Sequence, residues 1–430
     1  MSQAPRGGTL GVMNASRQGL KILAFEPFDV GSHRAVRESI ARYSRHHWRW
    51  FTRPGRAWKW RMRLAAIELL EEARAAGGLE QRSDAVFVTS LMSAADLAAL
   101  MPQKSPAGGR RVPVILYMHE NQAAYPARQE LPAEGIPGAS LPAEDLAGAD
   151  LPGVDLPGAE LPGAERDVHF ALTNLTSMLA SDLVIFNSQW NRRSFVAGIA
   201  EILRHAPDSR LGHIGRWIEE RSEVIWPPVE PPPETVFRRR ASERPGPGDG
   251  QRGGSGHGRV LHNSIAVLWP HRWEHDKGPD QLLEIARRYT EKLNLRWTIL
   301  GQSFSTVPHA LRAFGDAFRN QIDHMGFEPD RRRYWEHLAA CDWVLSTARH
   351  EFFGIAVVEA LLAGCLPWLP DALSYPELLP VEARRLSPMN PPDDASAIRA
   401  AIRRHLHAAI APHAVSRLDD AISRCVACGH

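Results

Sequence analysis

Short apolar runs, each closed by small or polar residues, recur along the first half of the chain: LKILAFEPF (20–28), SDAVFVTS (83–90), RVPVILYMHE (111–120) and SDLVIFNS (181–188). They are rich in β-branched and aromatic side chains and apolar at successive positions, as strands buried on both faces are. The first run breaks at DVGSH (29–33), and a helical pattern starts from Arg34. Strands alternating with helices predict a doubly wound α/β unit, whose ligands sit at the carboxyl ends of the strands. A second series, SIAVLWPHR (264–272), LRWTILGQ (295–302), CDWVLSTARHE (341–351) and GCLPWLP (364–370), predicts a second unit of the same kind.

Between the two series periodicity gives way to proline, glycine and charge, as in GPGDGQRGGSGHGR, which is the composition of a linker. The expected organisation is a tail over 1–19, a first unit over 20–235, a flexible connection over 236–260, a second unit over 261–395, and a closing helical segment over 396–430 that can pack on either unit. One insertion stands apart: residues 131–165 are seven five-residue units of the form L-P-G-A-acid. Recurrent proline where ladder donors are needed argues against a β-helix, so a solvated acidic segment is expected.

Composition narrows the picture. With 51 basic and 49 acidic side chains the net charge is +2, so any basic site is local and no global field marks a nucleic-acid or membrane partner. Residues 1–20 lack the apolar core of a secretory signal, and no apolar run is long enough for a membrane span. A cytoplasmic protein is expected. Cys341 and Cys365 stand in apolar surroundings, whereas Cys425 and Cys428 form CVACGH; one C-x-x-C with a trailing His430 is half a zinc site, or a frayed tail.

The stretch LWPHRWEHDKGP (268–279) delivers Arg272 and Lys277 to the end of a strand. A planar cationic fork and a point charge five positions apart suit a diphosphate, although pairing with Glu274 and Asp276 in a solvated loop fits the same residues. STARHEFFGIAVVEALLAG (346–364) places Gly354 at a helix start, where the amides of Phe353, Gly354 and Ile355 form a candidate anion cradle. Glu351 and Glu359 flank that cradle with seven residues between them, and carboxylates accept well from sugar hydroxyls. In the first unit, HENQAAYP (119–126) puts His119 directly after a strand, with Asn121 behind it. The FDVGSH loop offers Gly31 and His33, and FNSQW (186–190) offers Asn187.

The E-x7-E spacing with an upstream Arg and Lys resembles the retaining glycosyltransferases of family 4, which have the GT-B fold of two Rossmann-like domains facing a cleft. The resemblance implies that Glu351 contacts the donor sugar, Glu359 the ribose, Arg272 and Lys277 the diphosphate, and His119 the transferred sugar and acceptor. No D-x-D is present, and the family implies no metal or cofactor beyond the nucleotide-sugar. PFDVGSHR, HENQAAYP, VIFNSQWNRRSF, LWPHRWEHDKGP and HEFFGIAVVEALLAGCLPWLP together resemble, in order and over residues 20 to about 385, the tRNA-queuosine α-mannosyltransferases. That narrower likeness implies transfer of mannose from GDP-mannose to queuosine in the anticodon of a tRNA of the tRNA-Asp type.

An RNA partner has its own signal. Residues 39–67 carry eight Arg or Lys and no acid, interleaved with Trp48, Trp50, Phe51, Trp58 and Trp60. Cations alternating with rings are what a single-stranded RNA surface uses, and Arg49, Arg53, Trp58, Lys59, Trp60 and Arg61 are its candidates, with His33, Asn121 and Asn187 nearer the acceptor. The same residues also read as a core with a solvated face. Rival readings are a family 4 enzyme with a small-molecule or glycan acceptor, and an RNA-binding protein that keeps the fold without turnover.

Overall fold

The computed structural model describes residues 19–77, 83–101, 111–124, 168–234, 264–303 and 307–428. The acidic repeat and the 236–260 connection lie outside the described residues. In the first half β1 (Lys21–Glu26), α1 (Gly31–Tyr43), β2 (His47–Thr52), α2 (Trp58–Ala75), β3 (Ala85–Thr89), α3 (Ala94–Leu100), β4 (Val114–Met118), α4 (Val168–Leu179), β5 (Leu183–Phe186), α5 (Gln189–Arg204), α6 (Ile214–Glu220) and β6 (Ser222–Val224) follow one another. The strands form a parallel sheet in the order β2-β1-β3-β4-β5-β6.

The second half runs β7 (Ile265–Trp269), α7 (Pro279–Leu293), β8 (Leu295–Leu300), α8 (His309–Ala317), β9 (Ile322–Gly326), α9 (Arg331–Ala340), β10 (Trp343–Leu345), α10 (Ile355–Ala363), β11 (Leu366–Trp368), α11 (Tyr375–Leu378), α12 (Ala395–His405) and α13 (Ala411–Cys428). Its strands are again parallel, in the order β11-β10-β7-β8-β9. Chain order reverses on either side of β1 in the first sheet and of β7 in the second. Those reversals open crevices at the strand ends, and the loops after β1, β7 and β10 carry most of the candidate chemistry.

Both sheets are covered on both faces, which explains the uninterrupted apolar runs. Leu23 and Phe25 of β1 face a core built with α2 to α5, while Ile22 and Ala24 face α1 and α13. In the second sheet Val267 and Trp269 pack under α7 and α8, and Leu268 packs with α9, α10 and α12. The two closing helices therefore part company: α12 stays with the second sheet, and α13 crosses to the first.

One strand departs from expectation. HWRWFT reads as rings alternating with cations, yet it is β2, an edge strand in register with β1. The period of two puts Trp48 and Trp50 on one face, stacked at 5.2 Å and edge-on to Phe87, and Phe51 is buried on the other. These three rings pack within the fold, Trp48 and Trp50 partly buried and Phe51 fully so.

Candidate active site

Two glycines shape the donor loops. Gly278 caps α7 with φ +65, and a Cβ there would meet the Thr347 carbonyl oxygen at 2.1 Å. Only glycine lets the loop after β7 lie this close to the loop after β10. Trp269 Nε1 donates to Thr347 Oγ1 at 2.9 Å, and that hydroxyl donates to the Lys277 carbonyl at 2.9 Å. Gly354 holds φ +89 at the N-cap of α10, and Gly364 closes the helix. The amides of 353–355 thus stand at a helix start, as the sequence predicts.

Lys277 is buried; its Nζ donates to the His350 carbonyl at 2.7 Å and lies 3.4 Å from Glu351 Oε2 and 3.1 Å from Asp276. Burial opposes its charge, but Glu351 and Asp276 outweigh burial and raise it above the ordinary lysine range. Arg272 is half exposed and 3.2 Å from Glu274. Neighbouring His271 is buried with Nε2 unpartnered, and burial, aided by Lys277, pushes it down to about 3.

Glu359 is buried in α10, where Arg331 pairs with one carboxylate oxygen and Tyr334 OH donates to the other at 2.7 Å. A carboxylate has acceptor capacity beyond these two donors. Arg331 and Tyr334, three apart on α9, escaped sequence reasoning; their shared helix face was the available signal.

On the facing half Gly31 opens α1 with φ +53 and open space where a Cβ would point. His33 and His119 are both buried, with ring centroids 4.1 Å apart. Glu26, at the end of β1, accepts from His33 Nδ1 at 3.1 Å, and Glu120 lies 3.9 Å from His33 Nε2. Burial disfavours charge on His33, but Glu26 and then Glu120 outweigh it, so the imidazolium persists above the usual histidine range. Burial, reinforced by charged His33, holds His119 well below that range. Ligand-type atoms of Glu26, His33 and His119 come within 4.8 Å of one another.

The halves converge at these groups. Arg272 is near enough to oppose charge on His33, and Glu120 is felt by Glu274 and His350 on the donor side.

Two expected acceptor contacts are corrected. Asn121 is fully buried, donating to Asn191 Oδ1 at 2.6 Å and accepting from Ala124 N at 2.8 Å. Asn187 donates to the His119 carbonyl at 2.6 Å and accepts from Asn191 Nδ2 at 2.8 Å. Their hydrogen-bonding capacity goes into holding the His119 loop. Phe353 offers its amide only, because its ring packs in the core beside Trp226.

The basic stretch is partly neutralised. Arg53 pairs with Glu68 and Glu72, and Arg61 with Glu68, acids that begin one residue beyond it. Arg49 lies over Phe51 and donates to the Ala76 carbonyl. Trp58 packs on Phe170 under Lys59, while Trp60 is 61% exposed.

Two family models match: the N-terminal region of tRNA-queuosine alpha-mannosyltransferase over 21–137 and 160–229, and group 1 glycosyl transferases over 260–416. A Drosophila melanogaster protein named tRNA-queuosine alpha-mannosyltransferase is 30% identical over 84% of this chain and 82% of its own. The chain belongs to the tRNA-queuosine alpha-mannosyltransferase family. The family match leaves out 138–159, which is the heart of the acidic repeat. At the level of fold, the catalytic domain of starch synthase IV from Arabidopsis thaliana superposes with TM-score 0.54 at 11% identity, covering 95% of this chain and 100% of its own. HepE from Anabaena in complex with UDP-glucose gives 0.51 at 15%, with coverage of 95% and 100%. The GT-B architecture expected for this family of glycosyltransferases is therefore present, and among the described residues no helix is long and apolar enough to cross a membrane.

Proposed function

We propose that the protein transfers mannose, with retention, from GDP-mannose to queuosine in the anticodon of a tRNA of the tRNA-Asp type. The observation that carries the reading is the meeting of Arg272, Lys277 and Glu351 from one half with His33, His119 and Glu120 from the other. Arg272, Lys277 and the amides of 353–355 stabilise charge growing on the leaving diphosphate, an interaction strongest in the transition state. Glu351, tethered to Lys277, orients the sugar. Neutral His119 serves the reacting centre as a hydrogen-bonding partner, and the leaving phosphate oxygen takes the acceptor proton in a same-face attack. The exposed face of α2 beside the cleft receives the RNA. The name of the Drosophila relative supplies the acceptor and the sugar.

The test is sugar transfer to total tRNA, with and without queuosine, read by mass spectrometry of the digested nucleosides. A queuosine-dependent hexose shift from GDP-mannose, lost in Glu351→Gln, is expected. Transfer only to small molecules or glycans would overturn the acceptor, and preference for another nucleotide-sugar would overturn the donor.

A further inference from the structure

The two halves touch at a point outside the site described above. Glu377, in α11 of the donor half, reaches across to the start of α5 in the acceptor half. Its Oε2 accepts from Gln189 N at 2.9 Å, and the amide of Trp190 and the hydroxyl of Ser188 face the same carboxylate. A negative charge at a helix N-terminus meets both unsatisfied amides and the positive end of the dipole. Ser188 already caps α5 from within, accepting from Asn191 N at 2.8 Å, so α5 does not need Glu377 to form.

Both ends of this contact lead to the site. On the donor side Ser374 Oγ donates to the Phe353 carbonyl at 3.1 Å, and Tyr375 OH lies 2.6 Å from Ser346 Oγ, tying α11 to the anion cradle and the loop after β10. On the acceptor side Asn191, in the first turn of α5, donates to the Met118 carbonyl at 2.9 Å, and Asn187 donates to the His119 carbonyl. From cradle to Glu377, and from Gln189 to the His119 loop, only a few bonds intervene.

We propose that Glu377 is a positioning residue that latches the donor half onto α5, setting the distance between the anion cradle and His119 for transfer. This goes beyond the assigned reaction and rests on that reading, whose failure the nucleotide-free distances keep separate from that of the latch. Burial pushes the Glu377 carboxyl up despite its amide donors, and its Oε1 is buried without a hydrogen bond. A contact whose desolvation offsets much of its gain is weak enough to break and remake at every turnover, as a hinged cleft requires.

The latch can be cut from either side. Glu377→Ala removes the acceptor. Gln189→Pro removes a donor at the first helical position, where proline is at home, and Ser188 has the extended backbone (φ −159, ψ 159) that precedes proline readily. Spin labels on the full chain at exposed Arg216 and Arg332, with Cys425 and Cys428 replaced by serine, report the separation of the halves. Wild type is expected to populate a short distance, further enriched by GDP, that both variants lose, with kcat falling about tenfold and KM for the nucleotide-sugar changing less than threefold. Wild-type distance distributions and kcat in Glu377→Ala, which removes the acceptor of every one of these donors, would overturn the proposal, whatever Gln189→Pro does. If GDP fails to bind at all, the donor reading falls, while the comparison of nucleotide-free distances still decides the latch.

Discussion

His33 and His119 face each other ring to ring in the cleft yet are driven in opposite directions from the ordinary histidine range, and Glu26 makes most of the difference. Glu26 contacts His33, so burial loses to the carboxylate there and wins at His119. Glu26→Gln keeps the shape of the pair and deletes the charge. His33 is then expected to titrate lower, because burial, His119 packing and Arg272 remain while Glu120 alone opposes them. Histidine resonances followed by NMR check this. Linkage gives the sign for stability: a raised histidine contributes most below its unfolded value near 6.5 and loses that contribution as pH rises through the folded value. Thermal unfolding of wild type should therefore show a loss of stability, as pH rises from about 6.5 through the raised value, that Glu26→Gln lacks. Sequence reading reached His33 and His119 through the strand-end rule, but Glu26 closes an apolar strand and gave no sign that its carboxylate meets His33 seven residues on.

At the scale of elements, α2 is where the RNA reading is most exposed to test. The stretch up to Ile67 has no acid, but Glu68 and Glu72 follow on the same helix and fold back onto Arg61 and Arg53. Ion pairs at this exposure contribute little to stability, yet they subtract from the positive field a phosphate backbone would feel. What remains outward is a stripe of Trp60, Leu64 and Ile67, at 61%, 38% and 48% exposure, with exposed Lys59 and Arg63 on the same helix. The loop leading into α2 lies beside the loop after β1, since Asp29 N donates to the Arg53 carbonyl and Arg53 N to the Glu26 carbonyl. Trp60→Ala should weaken tRNA binding by about tenfold, one stacked base being worth roughly 1–3 kcal/mol, with GDP affinity unchanged; fluorescence anisotropy with both ligands reads the two together. The buried strands and the Gly354–Gly364 helix were legible because burial on both faces and glycine punctuation are local signals. β2 was not, because an edge strand of alternating tryptophan and arginine has the same composition as a nucleic-acid surface, and only pairing with β1 tells them apart.

Two backbone crossings between the halves meet at one place. Val229, after the first sheet, pairs with Ile410: Val229 N donates to the Ala409 carbonyl and Ala411 N to the Val229 carbonyl, both at 2.8 Å. From there α13 leaves the donor half and buries Val415, Leu418, Ala421 and Ile422 against α1 and β1. Its amphipathic pattern marks a helix and its apolar face, but which of two apolar surfaces receives that face is a tertiary choice with no local trace in the sequence. Asp419 settles it. Almost fully buried, it accepts from Ser44 Oγ at 2.6 Å and from Arg45 N at 2.8 Å, while its carbonyl lies 3.2 Å from His46 Nε2. These partners all lie in the α1–β2 turn. Asp419→Ala leaves a part-buried amide and a part-buried hydroxyl without their acceptor and should lower stability by about 1–2 kcal/mol. Because the lesion lies on the helical face of the acceptor half, away from the strand ends that carry the donor loops, GDP should bind the variant with unchanged affinity below its lowered Tm. Calorimetric unfolding with and without GDP separates the two effects: an unaltered Tm would mean that α13 is held by its apolar face alone, and lost GDP binding at low temperature would mean that the helix helps shape the cleft.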